Sequence, residues 1–343
     1  MHRFGFLLVS LLIISDIYFV DSLSIVKQQQ DHVVSTRPPT SDCRRQFIQQ
    51  QVALLGGIAF APTPTLAVEN SSSFRGTTAS SSALQNGLLE SRVTENLMSP
   101  PTYGLETPDV FYPKYFSGVW QAKSVATNVE APCGVQLFGG NNTFAAALNE
   151  IGTEKALVYR ARFVPDTDGK VIADREFNVR EIVKATMGGN SVLDVPLATP
   201  NKFCALLAPV GSPNILKVDI ISLARRQESN GEDDNNSTFD CSEVVRQIVA
   251  PANQNKPQAG VVPMQPPPSG RSALLKEIET VSLYNAQATN KDGIVDTIKC
   301  RQRTATFLLP SQDDPIAYQM WQMTRGRPID VRFYDVTYMR QAS

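Results

Sequence analysis

The chain has 343 residues, 42% of them hydrophobic, with 23 prolines and a formal net charge of −1. That length suits one large domain with additional non-core segments, and the near-neutral balance argues against the clustered positive field that non-specific nucleic-acid binding needs. Its two histidines, His2 and His32, lie near the start, so removal of a leader would leave no imidazole for Ser-His-Asp, Cys-His or His-containing zinc chemistry.

Residues 1–22 carry Arg3, the apolar run FGFLLVSLLII and a small residue, Ser22. The run is too short to span a bilayer comfortably and reads as a secretory signal peptide. Residues 23–42 are polar, rich in hydroxyl groups and without periodicity, in the manner of a transit peptide. Residues 43–67 place Arg44 and Arg45 before the weakly apolar Val52 to Phe60 and the cleavage-like Thr65-Leu66-Ala67, the pattern of a twin-arginine export signal. Three addresses in this order resemble the targeting of thylakoid-lumen proteins in algae with secondary plastids. The resemblance implies a plastid, thylakoid-lumen location and no transmembrane anchor in the mature chain.

Residues 68–108 are rich in Ser, Thr and Asn and bury too little apolar surface to offset ordering entropy, so they are expected to form a flexible tether. A short helix is allowed around Leu84 to Leu97. From Asp109 the pattern turns strand-like. Phe111 to Ala126 puts Gly118, Trp120, Ala122 and Ser124 on one face of a strand. Leu157, Tyr159, Ala161 and Phe163 share a face in the next, and Lys170 to Phe177 reads as its returning partner after a Pro-Asp-Thr-Asp-Gly turn. Asn178 fits a helix N-cap with Glu181 at N3, opening a short helix through Thr186 that Gly188-Gly189 would end.

Further strands are expected at Ser191 to Val195, Phe203 to Leu207, Ile215 to Leu223, Thr238 to Val249, Ile278 to Asn285, Ile294 to Leu309 and Val331 to Arg340. Residues 225–237 and the Pro-rich 251–272 read as low-complexity insertions. The expected fold of residues 109–343 is therefore mainly β: an antiparallel β-barrel or strongly curved sheet with one short helix and long inserted loops.

Gly118-Val119-Trp120 resembles the G-x-W signature of lipocalins and the wider calycin barrels. In those folds the Trp packs at the closed end against an Arg of the last strand, a part that Arg340 or Arg332 would play here. Val171 to Asn178, Glu279 to Pro310 and Val331 to Arg340 resemble segments of an uncharacterised, lipocalin-like family of cyanobacteria and plastids. The family offers no catalytic residues to carry over.

Cys133, Cys204, Cys241 and Cys300 follow the leader, an even number that allows up to two disulfides or four buried thiols. With no C-x-x-C present, a zinc ribbon or thioredoxin-like site is not expected, and no other metal site or cofactor motif is visible. Asp174, Arg175, Glu176 and Arg180 place charges at a strand–helix junction. They can hold an anion there or form an internal ion-pair cluster, the reading favoured here. Arg301, Arg303, Arg325 and Arg327 make the last third locally basic.

Three functions stay open. The leading one is a non-enzymatic barrel binding a small apolar or amphipathic molecule such as a pigment, quinone or lipid, with Tyr159, Arg175 and Arg180 as candidate contacts. Another is a filled barrel that docks on or helps assemble a photosynthetic membrane complex. The least supported is an enzyme, because no catalytic constellation is visible. If Tyr159, Phe163, Phe177, Phe203, Tyr284 and Phe307 all point inward, the barrel is filled.

Overall fold

A computed structural model describes residues 87–341 apart from 100, 190, 210–214, 230–237, 253–273, 290–293 and 311–314. The three address segments, residues 68–86 and nearly all of the Pro-rich insertion lie outside the described residues. The strands are β1 (Gly104–Leu105), β2 (Gly118–Glu130), β3 (Leu157–Pro165), β4 (Val171–Ala173), β5 (Val192–Ala198), β6 (Lys202–Leu207), β7 (Leu216–Ser229), β8 (Thr238–Pro251), β9 (Leu274–Thr289), β10 (Val295–Leu308) and β11 (Asp330–Arg340). Between them lie α1 (Leu88–Thr94), α2 (Val135–Phe138), α3 (Asn141–Leu148), α4 (Arg175–Met187) and α5 (Pro315–Thr324).

The strands form one 11-stranded sheet in the order β4-β3-β2-β11-β10-β9-β8-β7-β6-β5, with β1 added parallel to β7. All neighbours along the main path are antiparallel. The expectation of a mainly β, strongly curved antiparallel sheet is met: it curls into a half-barrel. The last strand, β11, pairs with the first long strand, β2, from Val331↔Glu130 to Arg340↔Trp120. This joint lies mid-sheet, and the sheet's ends are β4 and β5.

β4 and β7 do not pair with each other; the chain from Gly104 to Tyr112 runs between them. Its start is bonded to β7, through Gly104↔Ala224, Leu105↔Arg225 and Glu106 N to Arg225 O at 3.2 Å. Its end reaches β4, where Tyr112 N donates to Val171 O at 2.8 Å. Four buried charges line this seam. Arg175 pairs with Asp109 at 3.0 Å and Arg225 with Glu243 at 3.0 Å, every side chain at most 2% exposed. Arg225 also donates to the carbonyls of Pro108 and Pro200, both at 2.6 Å. Burial holds the Asp109 carboxyl above its ordinary value against the pull of Arg175, and lowers Arg175 to about 10.

Aromatic rings fill the concave side near the β2 end. Tyr112 lies 4.8 Å from Phe163 on β3 and 5.3 Å from Phe239 on β8, and Phe116 lies 4.9 Å from Phe163 and 5.2 Å from Tyr284 on β9. These contacts span the hollow from one wall to the opposite one. Tyr159 and Tyr338 belong to the same cluster. Val179 and Val183 of α4 join Phe203, Val218, Val245 and Ile278 in a second core.

Several boundaries differ from expectation for local reasons. The strand after the hairpin turn is only Val171–Ala173, and α4 begins at Arg175 rather than beyond Asn178. Asp174 is the N-cap, accepting from Phe177 N at 3.1 Å. Asn178 instead points to β3, bonding Arg162 N at 2.7 Å and Arg162 O at 3.1 Å. The expected insertion at 225–237 begins as strand, since β7 continues to Ser229. Among the described residues, five α-helices accompany the sheet instead of one.

Residues 87–108 belong to the expected tether, with a short helix allowed around Leu84 to Leu97; α1 is that helix, and the described residues around it are packed on the sheet. Here they form a strap on the outer face of the sheet. Leu89 and Val93 pack on Val281 and Leu283 of β9. Arg92 pairs with the buried Glu279, which also accepts from Arg303 at 3.1 Å. Arg303 in turn donates to Leu97 O at 2.7 Å. The outward row of β9 and β10 thus supplies both apolar and charged anchors.

At one end of the sheet, Gly118, Trp120 and Arg340 meet. The indole is fully buried and donates to Phe116 O at 2.6 Å. The Arg340 guanidinium lies 4.3 Å over its ring and donates to Ser117 O at 2.8 Å, Tyr115 O at 2.5 Å and Val295 O at 2.8 Å. Gly118 has φ 117°, and a Cβ there would stand 3.2 Å from Arg340 Nη1, so the backbone angle and the guanidinium both favour glycine. Trp120→Ala is expected to lower the unfolding free energy by about 3–5 kcal/mol. A denaturant titration of parent and variant measures this, and equal midpoints would contradict it.

Candidate functional site

The residues singled out for a ligand do not form one site. Tyr159 is buried in the aromatic core, where burial raises its pKa. Arg175 is buried at the seam against Asp109. Arg180 is half-exposed on α4 and donates to Glu176 at 3.1 Å. Arg332 pairs with Asp330 at 3.0 Å and lies 5.6 Å over the Phe138 ring, away from Trp120's guanidinium partner. Of the six aromatics that would fill the interior, Tyr159, Phe163 and Tyr284 do so. Phe203 fills the second core, Phe307 packs in a separate cluster with Val331, and Phe177 lies under Arg162 at 4.2 Å.

Cys133, Cys204, Cys241 and Cys300 are free thiols. Cys241 on β8 and Cys300 on β10 are separated by β9, and two strand spacings are about 9–10 Å, beyond disulfide reach. Burial raises both thiols, and it raises Cys204 to about 11, so these groups stay protonated and unreactive at neutral pH. Among the described residues, no group of three or more His, Cys, Asp or Glu is placed to hold a metal ion.

A groove of about 570 Å³ opens instead on the convex side. Its floor is the outer row Asp240, Leu283, Arg301 and Asp335, in register across β8 to β11. The next row is Thr238, Asn285, Lys299 and Thr337. One wall is α1, whose Glu90 reaches to 3.8 Å from Arg301. The helix is held there by Glu228 of β7, which accepts from Gly87 N at 3.1 Å and Leu89 N at 3.2 Å. Strand alternation marks each of these side chains as outward. Only register decides that they stand abreast, and only the strap supplies the wall.

Asp240 is the groove's perturbed group. Burial raises its pKa to about 7; Glu228 and Glu90 add to the rise, and Arg301 opposes it. An acid whose folded pKa exceeds its ordinary value of 3.8 binds more protons folded than unfolded over that interval. Its contribution to stability is therefore present at low pH and lost as pH rises toward 7. Urea midpoints of the parent, measured from pH 4 to pH 8, should show this decline, and Asp240→Asn should flatten it. An unchanged profile in the variant would assign the decline to other groups.

Among the described residues no helix is long and apolar enough to cross a membrane. In comparisons with known proteins, residues 104–341 match the model of a family described as Domain of unknown function (DUF6816). No curated protein and no solved structure gives a match.

Proposed function

The chain belongs to the family of the Domain of unknown function (DUF6816), and from that premise we propose that it is a non-enzymatic docking module working through the outside of a filled half-barrel. One observation carries this reading: the ring contacts from Phe163 through Tyr112 and Phe116 to Phe239 and Tyr284 occupy the hollow where a calycin-type barrel would hold a pigment, quinone or lipid. The lipocalin-like kinship is supported by Gly118, Trp120 and the stacked Arg340. A second reading is favoured by the groove beside α1, whose volume suits a small amphipathic ligand bound outside the sheet. Native mass spectrometry of the protein isolated from its own cells should find the bare polypeptide. A retained small molecule that Arg301→Glu abolishes would favour the second reading and overturn the first.

The partner belongs with the address. The serial signals in residues 1–67 support a thylakoid-lumen location in a plastid, and a photosynthetic membrane complex as what the module docks on or helps to assemble. A fluorescent fusion of residues 1–72 is expected in the plastid, with the mature protein in the lumen. Undiminished lumenal import after replacing Arg44 and Arg45 by Lys would remove the twin-arginine step.

A further inference from the structure

Helix α5 presents an aromatic and a thioether side chain, Tyr318 and Met323, to solvent. Its ten residues, PIAYQMWQMT, carry no charge, although a helix face in water is usually charged or strongly polar. Thr324 is its buried anchor, while Tyr318, Gln319, Gln322 and Met323 are exposed, Met323 at 61%. Trp321, on the flank of that face, lies one turn from Tyr318 with ring centroids 5.5 Å apart.

The helix ends in two arginines. Arg325 adopts φ 51° and Gly326 φ 75°, so the chain turns sharply. The stop is well bonded: Arg327 N donates to Thr324 O at 3.0 Å, and Thr324 Oγ1 donates to Trp321 O at 2.8 Å. Arg327 Nε folds back to Thr324 O at 3.4 Å. Both arginines are exposed, and no carboxylate among the described residues pairs with either. Elsewhere on this molecule guanidinium groups commonly sit against acids, as in Arg160–Glu181 and Arg246–Glu277.

We propose that α5 with Arg325 and Arg327 is a peripheral docking site for an anionic lipid bilayer. A Trp–Tyr pair with an apolar body and polar tips suits the headgroup level. The thioether of Met323 and the glutamine amides bring no charge that would have to leave water. Two unpaired guanidinium groups at one end complement lipid phosphates. An acidic protein partner would use the same arginines, but it would not require ten consecutive uncharged residues with aromatic side chains at the surface. The site is separate from the groove and does not depend on what the groove binds.

The test uses the full-length chain and reads α5 itself. The protein has two tryptophans, and Trp120 is fully buried, so Trp321 reports local contact with lipid. Vesicles of phosphatidylcholine alone, and of phosphatidylcholine and phosphatidylglycerol in equal parts, are titrated with and without spin-labelled lipid. Trp321 emission should shift to the blue and be quenched only by the anionic vesicles, and Trp321→Phe should abolish that response. Each of Arg325→Gln and Arg327→Gln should weaken the apparent partitioning about five-fold, with unfolding midpoints unchanged. Reading Trp321 separates this site from any binding by the leader. Emission that ignores anionic vesicles, or quenching indifferent to both arginine variants, would overturn the proposal. So would a Trp321 that responds to an acidic protein but not to lipid.

Discussion

The structure depends on how one seam is covered. A curled sheet that does not close on itself leaves two rows of backbone groups facing each other across a gap. Here the chain from Gly104 to Tyr112 occupies that gap, bonding β7 at one end and β4 at the other. The backbone pairing lies at the two ends of the segment, so side chains hold its middle. Arg225 does so by gathering the Pro108 and Pro200 carbonyls and Glu243, while Asp109 is met by Arg175 from the start of α4. Buried pairs of this kind add little net stability. Removing one member costs about 3–5 kcal/mol, because the other charge is left without compensation. The seam is therefore specified as an assembly: strap, β7, β8 and α4 must all be in place together.

That assembly settles where binding chemistry has room. Tyr112 and Phe116 follow directly from the seam segment, and their position brings the aromatic rings of opposite walls into contact. The hollow is thereby spent on packing, and the accessible features move to the convex face and the sheet's ends. The same N-terminal stretch that covers the seam also builds the groove, since α1 lies on β9 through Leu89 and Val93 and is bonded by Glu228. Fold closure and site formation are thus linked through one segment.

Much of the strand pattern was legible, because alternation at period two survives any arrangement of the strands. The end built by Gly118, Trp120 and Arg340 could be suspected from residue types, since a positive φ, a large indole and a long cation have few other joint uses. The start of α4 was harder. Asp174 and Asn178 are both good capping residues, and the choice fell to Asp174 because Asn178 is taken by the Arg162 backbone across the β3 edge. Residues 87–108 looked polar and short of apolar surface, yet their few large residues find the outward Val281 and Leu283, and Arg92 finds the buried Glu279. Composition counts such residues; it does not see what waits for them.

By itself the sequence determined the mainly β class, the approximate strand positions and the small-beside-large packing around Trp120, all of which arise from side-chain periodicity and local steric preference. Tertiary structure alone decided that the first and last long strands meet mid-sheet and that the strand order ends at β4 and β5. It also decided that Cys133, Cys204, Cys241 and Cys300 stay unpaired, and that Asp240, Arg301 and Glu90 face one groove. Those outcomes depend on strand order and register between segments far apart in the chain. A shift of one residue reverses the face a side chain presents, and no local preference encodes which distant strand will stand beside it.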